Sequence, residues 1–190
     1  MPKKKPSAKR RSGCPLNASV EMLGDRWSLL IIRDMMLRGS RSYKEFLESY
    51  EGIATNILAD RLRKLEAHGI ITTERDPSDG RKLIYLLTAK GIDLAPVLTE
   101  MVLWAAGHEE TGNQALVRLM QKDKQQFLTA IRQRWAGKTV RSAANQAGAK
   151  SLAPASIAEE RYTVTNGGTG ASKLAACLDR AERYENEVTR

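Results

Sequence analysis

The pattern over residues 54–87 constrains the fold more than any other part of the sequence. Residues 70–75 and 81–87 read as strands on either side of a turn at 76–80, and this hairpin is here called the wing (residues 70–87). Before it, apolar residues recur at helical spacing from 54 to 68 and form one stripe: Ala54, Leu58, Leu62 and Leu65. A helix that leads directly into such a hairpin predicts a winged helix-turn-helix fold.

Three short helices with clear boundaries are predicted before this point. Pro15 opens a helix that ends at Gly24, as proline and glycine commonly do at the two ends of a helix. Asp25 then caps a helix that stops near residues 38–40. Ser42 and Glu45 stand three residues apart as a capping box at the start of the third helix. The chain is therefore expected to be mainly α-helical, with one small β-hairpin.

The helix over 54–68 carries polar side chains on the face opposite its apolar stripe. Such groups on the first two turns suit a helix that reads the major groove, where asparagine pairs with adenine and arginine with guanine. Cations on the wing can reach a phosphate or the minor groove beside that helix. The predicted DNA contacts are Thr55, Asn56, Ala59, Asp60 and Arg63 on the helix, Arg81 and Lys82 on the wing, and Arg41 and Lys44 near the DNA backbone.

Other interpretations of these residues remain open. The helix over 54–68 also fits an ordinary amphipathic surface helix, and the wing carboxylates Asp76 and Asp79 can pair with Arg81 and stiffen the turn. A winged helix can also serve as a protein-interaction module. An enzyme is the weakest interpretation, because no catalytic set of side chains stands out. No cofactor or metal is predicted, since His68 and His108 have no second ligand at metal-binding spacing.

The net charge of +9 is distributed unevenly along the 190 residues. Residues 1–13 hold six basic residues and no acidic one, which predicts a flexible basic arm that either contacts DNA phosphates or serves only as a solvated tail. Residues 14–137 hold 17 basic and 16 acidic residues. The prediction of DNA binding therefore depends on the spacing of residues in a nearly neutral domain. The longest strongly apolar stretch, 29–32, is too short to span a membrane, and two cysteines favour the reducing cytoplasm.

Two further helices are expected after the wing. Thr88 caps one that continues from residue 91 to about 107, and a second covers 113–136. Their many apolar positions exceed what one small domain can cover, so a symmetric dimer through the N- and C-terminal helices is predicted. The chain is predicted to consist of four parts: a basic arm (1–13), a winged helix-turn-helix domain (14–107), a C-terminal dimerisation helix (108–137) and a low-complexity extension with a possible terminal helix (138–190).

Several motifs of this chain together resemble the HxlR-type regulators, which are bacterial winged helix-turn-helix transcription factors related to the MarR group. The resemblance covers about 14–107 and extends to about 136. It implies a homodimer that represses or activates by binding an inverted repeat in double-stranded DNA. The wing is similar to the MarR pattern, which implies that Arg81 enters the minor groove. The motifs that carry the resemblance are Cys14-Pro15, Leu23-Gly24-Asp25-Arg26-Trp27, Gly52-Ile53, the run 58–66, Gly69-Ile70 and Leu87-Thr88-Ala89-Lys90-Gly91.

Two positions bear on how such a regulator would work. Many family members have serine where Ala54 stands, so the cap of the following helix must come from Thr55 or from water. Cys14 lies at the positive end of a helix, close in sequence to Lys9, Arg10 and Arg11, and these features favour its reactive thiolate. The resemblance implies that such a cysteine senses oxidants in some members. The alternative is a small residue that packs at a dimer interface. A small-molecule effector is equally compatible with this family.

Overall fold

The computed structural model describes the backbone of residues 12–146 and the side chains of residues 12–135. The chain order confirms a mainly helical winged helix-turn-helix fold with one antiparallel hairpin. The elements are α1 (Pro15–Leu23), α2 (Arg26–Arg33) with a π-helical extension (Asp34–Arg38), α3 (Tyr43–Leu47), α4 (Thr55–Ala67), β1 (Ile71–Arg75), β2 (Leu83–Leu87), α5 (Ala89–Ile92), α6 (Ala95–His108), α7 (Gln114–Lys122) and α8 (Lys124–Gln146).

The helix starts predicted from capping residues are confirmed. The Asp25 side chain accepts hydrogen bonds from the backbone N–H groups of Trp27 and Ser28 at the start of α2. Ser42 and Glu45 form both halves of the capping box on α3. The Thr88 hydroxyl accepts a hydrogen bond from the backbone N–H of Gly91. These local hydrogen bonds satisfy first-turn donors that a helix cannot satisfy itself, which is why the sequence marks them so clearly.

The wing forms as predicted, with slightly shorter strands. Ile71 pairs with Leu87 and Arg75 with Leu83, and the Asp76 N–H donates to the carbonyl of Lys82 where the turn begins. A minimal third strand lies beside β2, where Ser42 pairs with Ile84 in an isolated antiparallel bridge. The wing is therefore attached to the start of α3 as well as to the end of α4.

Each of the two predicted C-terminal helices is divided into two helices in the structure. The prediction of single helices over 91–107 and 113–136 was therefore wrong. Pro96 lies in the first turn of α6; it lacks an N–H, and its ring would clash with the carbonyl four residues back, so α5 cannot run on into α6. Asp123 separates α7 from α8, and its side chain accepts a hydrogen bond from the N–H of Gln126 as a helix cap does. Helix α8 then continues to Gln146.

One hydrophobic core extends through the helix-turn-helix, the wing and the C-terminal helices. Helix α8 packs against α5, α6, α7 and β2, so it reaches the same interior as the apolar stripe of α4. Its contribution is large, because four bulky side chains of this helix are buried: Phe127, Leu128, Ile131 and Trp135. The role of residues 108–137 in dimerisation stays a prediction, while their contribution to this core is observed.

Candidate nucleic-acid interface

Helix α4 separates its side chains into a buried face and an outward face. Leu58, Leu62 and Leu65 are buried, while Ala54 at the end of the predicted stripe is exposed. On the outward face Thr55, Asn56 and Arg63 are exposed, and Ala59 and Asp60 are partly exposed. The five helix residues predicted to contact DNA therefore lie at positions that solvent reaches, on the side away from the core.

The start of α4 has no side-chain cap. Ala54 occupies the N-cap with φ −71° and ψ 145°, the extended backbone that a capping residue normally adopts. Thr55 is the first helical residue and supplies no cap, so that half of the predicted alternative is wrong. The Tyr43 hydroxyl instead donates to the carbonyl of Thr55 at 2.7 Å and attaches this end to α3. The first-turn N–H groups of α4 are thus available to an external acceptor.

Ion pairs fix the orientation of α4 and screen one of its acids. Arg61 Nε lies 3.0 Å from a carboxylate oxygen of Asp25, which joins the middle of α4 to the cap of α2. Asp60 pairs with Lys64 and Arg61, each at 3.1 Å. The hydrogen bond from Lys64, together with the positive charges of Lys64 and Arg61, holds the pKa of Asp60 below its ordinary value. A paired Asp60 opposes a nearby phosphate less than an isolated carboxylate would.

The wing carries its two predicted cations at the tip, both close to Asp79. Arg81 Nε lies 3.2 Å and Lys82 Nζ 3.6 Å from its carboxylate, yet the side chain of Arg81 is 93% exposed. The predicted pairing of Asp79 with Arg81 is confirmed. Asp76 was wrongly assigned the same role, since its carboxylate accepts hydrogen bonds from the backbone and hydroxyl of Ser78. The tip is therefore a stiffened turn that still presents Arg81 to solvent.

Arg41 lies beside the wing on the segment that precedes α3, and Lys44 lies in the first turn of α3. The Arg41 carbonyl accepts a hydrogen bond from the N–H of Tyr85 at 2.7 Å, and its side chain is partly buried. Lys44 is 82% exposed and forms a 3.5 Å ion pair with Glu48. Lys44 is thus free to move toward an anionic partner, whereas Arg41 is held against the sheet.

Cys14 lies at the N-cap of α1 and is exposed. Its backbone N–H donates to the hydroxyl of Ser12 at 3.2 Å. The neighbouring cations Lys9, Arg10 and Arg11, and the terminal helix predicted in 138–190 with Cys177, lie outside the described residues. Exposure is a requirement for a reactive thiol, but the sensor role itself stays a prediction.

A charged cluster between α2 and the turn before α4 was missed at the sequence level. Glu51 accepts hydrogen bonds from Arg26 Nη2 and Arg33 Nη1, both at 2.9 Å. Arg33 also forms an ion pair with the buried Asp34 at 2.8 Å. Burial opposes ionisation of Glu51, but hydrogen bonds from Arg33 and Arg26 outweigh it and hold its pKa below the ordinary value. The one feature of the sequence that could have indicated this cluster is Asp34, an acidic residue at a core-facing position of an apolar helix.

Neither a membrane-spanning helix nor a metal-binding cluster is present among the described residues. Within residues 12–146 no helix combines the length and the apolar character that crossing a bilayer requires. Among the described side chains, no three of the types His, Cys, Asp and Glu gather as they would around a metal ion.

Comparisons with known proteins show similarity to transcriptional regulators. A family model described as HxlR-like helix-turn-helix matches residues 22–113. The HTH-type transcriptional regulator sll1512 of Synechocystis sp. is 38% identical over 88 residues, which are 46% of this chain and 64% of that protein. The solved structure of PA1607, described as a candidate transcription factor, has 34% identity and a TM-score of 0.50, and the match covers 56% of this chain and 73% of that chain.

The HTH-type transcriptional regulator YodB of Bacillus subtilis is matched over most of its length. It is 37% identical over 101 residues, which are 53% of this chain and 89% of YodB. The chain spans less than two thirds of sll1512, so the comparison with YodB decides the family. With this match and the family model over residues 22–113, the chain belongs to the HxlR-like helix-turn-helix family, which consists of transcriptional regulators and not of enzymes.

Proposed function

We propose that this protein is a sequence-specific regulator that binds double-stranded DNA in the cytoplasm as a homodimer on an inverted repeat, most simply as a repressor. The observation that carries the proposal is the outward face of α4, where Asn56 and Arg63 are exposed on a helix that packs against β1 of the wing. A hydrogen bond from Thr73 to Glu66 joins α4 to β1. The helix and the wing therefore approach DNA as one unit, with the helix in the major groove and Arg81 directed to the minor groove.

Exposed apolar side chains on α1 and α6 support dimerisation through these helices. Large apolar side chains that gather on one exposed surface commonly mark an interface with a partner. Leu16 and Trp104 are 72% and 64% exposed. The proposed dimer face consists of Leu16, Val20, Val97, Met101 and Trp104. On an inverted repeat, a two-fold axis through this face would have to relate two α4 helices that enter successive turns of the major groove.

Selection of DNA from a random duplex library with the full-length protein tests the proposal. The expected result is an enriched inverted repeat, with half-sites about 10 base pairs apart from centre to centre. A gel shift with that sequence at physiological salt then gives a specific complex. If no sequence is enriched and no specific complex forms, a protein-interaction module replaces this proposal.

We assign the arm (residues 1–13) to DNA phosphates. Its six cations would each release counterions on binding, so deletion of residues 2–11 weakens binding to every sequence alike and flattens the salt dependence. A salt dependence that stays the same after the deletion would mean that the arm is only a solvated tail.

Thiol control of DNA binding is the second part of the proposal. Cys14 is exposed at the start of α1, within the proposed dimer region, so its modification can shift α1 and separate the two recognition helices. The relative YodB has been solved in reduced, diamide-treated and quinone-bound forms. In a Cys177→Ser background, alkylation by iodoacetamide is expected to weaken operator binding, and Cys14→Ser to abolish that response. Unchanged operator affinity after complete alkylation contradicts the sensor role.

A further inference from the structure

A cavity of about 400 Å³ lies between α2, α6, α7 and α8. Its volume falls within the range of sites that bind small organic molecules. The wall is mostly apolar, and its residues include Leu30, Leu37, Leu98, Val102, Met120 and Ile131. A molecule that fits here must therefore be largely apolar.

Part of this wall comes from helices outside the region that the family model matches. Met120 of α7 and Ile131 of α8 line the cavity, whereas the match ends at residue 113. Both side chains are buried and belong to the core cluster, so they are fixed parts of the wall. The cavity thus depends on α7 and α8 of this chain as well as on the shared winged helix.

One edge of the cavity is charged, and positive groups exceed negative ones there. Arg26, Arg33 and Glu51 line this edge, and the single carboxylate bridges the two guanidinium groups. Arg33 is also engaged by Asp34, but the side chain of Arg26 is 66% exposed. A guanidinium has five N–H donors, and Glu51 uses one from Arg26. The edge can accordingly receive a second anionic oxygen, most directly at Arg26.

The same bridge connects the cavity to the start of the recognition helix. Glu51 lies in the turn between α3 and α4, next to Gly52, whose φ of +69° marks a tight change of direction. The bonds from Arg26 and Arg33 hold this turn against α2. An anion that binds Arg26 and Arg33 would weaken their hold on Glu51 and release the turn that positions α4.

We propose that this cavity binds a small apolar carboxylate, whose acid group competes with Glu51 for Arg26 and Arg33. Binding frees the turn before α4 and lowers the affinity for DNA. This second step rests on the proposed DNA-binding function, whereas occupation of the cavity does not.

Calorimetric titration of the full-length protein with 2-naphthoate tests occupation, and the neutral 2-naphthamide is the matched ligand. The acid is expected to bind at least about tenfold more tightly than the amide, a difference that one charge-assisted hydrogen bond can supply. Equal affinity for the two ligands, or no binding of either, overturns the proposal.

Two variants and their matched controls locate the site. Ala105→Phe fills the cavity and is expected to weaken naphthoate binding at least about tenfold. Ala115→Phe places the same side chain on the exposed surface of α7 and should leave binding unchanged. Arg26→Gln should remove most of the preference for acid over amide, while Arg118→Gln on the surface should keep it. Because Arg26 is largely exposed, its variant remains informative if Ala105→Phe does not fold. The proposed site is overturned if a folded Ala105→Phe variant binds naphthoate as tightly as wild type does. It is also overturned if Arg26→Gln keeps the full preference for the acid over the amide.

The linkage to DNA is tested with the selected operator. Saturating 2-naphthoate is expected to weaken operator binding about fivefold, with naphthamide at equal concentration as the control. Naphthoate that binds the cavity without changing operator affinity overturns the competition with Glu51. If no operator is found but naphthoate binds with the mutational pattern above, the proposed function fails and the cavity site stands.

Discussion

The substitution Phe127→Ala tests whether α8 is part of the core that supports the recognition helix. Phe127 is fully buried in the cluster that also contains the apolar stripe of α4. Removal of a buried phenylalanine ring commonly costs about 3–5 kcal/mol, from lost burial and from the cavity left behind. Since domains are stable by only about 5–15 kcal/mol, this loss is a large fraction of the total.

Urea unfolding followed by circular dichroism measures the effect, with the protein concentration held constant because dimerisation would contribute to stability. With a slope of about 2 kcal/mol per M, the midpoint is expected to fall by about 2 M. Gln125→Ala is the control, because Gln125 is exposed two residues earlier on the same helix. If Phe127→Ala costs less than about 1 kcal/mol, as a surface substitution would, α8 does not belong to the core that supports α4.

Three smaller predictions follow from the interface. Ala54→Ser places a capping side chain on backbone of the right conformation, so thermal unfolding should show a gain of about 1 kcal/mol; no gain would mean that Ala54 does not hold the N-cap. Burial alone would raise the pKa of Glu45, but the hydrogen bonds from the backbone N–H groups of Arg41 and Ser42 lower it by more. The pKa of Glu45 is therefore lower in the folded protein than in the unfolded chain. The stabilisation by Glu45 is therefore present above the unfolded pKa and is lost as the pH falls through the folded pKa. In urea unfolding, the excess stability of wild type over Glu45→Gln should shrink from about pH 7 to about pH 3. A stability difference that stays constant over this range would contradict the prediction. Asp79→Asn releases Arg81 and Lys82 at the wing tip, so fluorescence anisotropy should show DNA binding up to about fivefold tighter, and weaker binding would show that the pairing prepares Arg81 for DNA.

The sequence predicted the elements whose signals are local. Asp25, Ser42 and Thr88 cap helices by bonding N–H groups two or three residues away, so sequence spacing alone identifies them. The wing was equally clear, because a turn between two apolar runs sets its own register. The helix breaks near Pro96 and Asp123 also had local signals, but the long apolar pattern on each side concealed them.

The charged cluster and the cavity were not predictable in the same way. Glu51 meets Arg26 across 25 residues and Arg33 across 18, and no spacing rule connects residues so far apart in the chain. The cavity depends on how α7 and α8 fold back onto α2, which is determined by tertiary packing. The outward position of Asn56 and Arg63 followed directly from helical periodicity.

If α4 reads base edges, wild type and Arg63→Ala will bind single-base variants of the selected operator differently. Wild type is expected to lose about 1–3 kcal/mol of binding free energy when one base pair of each half-site is changed, and Arg63→Ala is expected not to distinguish the two sequences. Arg118→Ala, a cation on the surface of α7, should retain the discrimination. If Arg63→Ala discriminates among the operator variants as well as wild type does, the outward face of α4 does not read the DNA sequence.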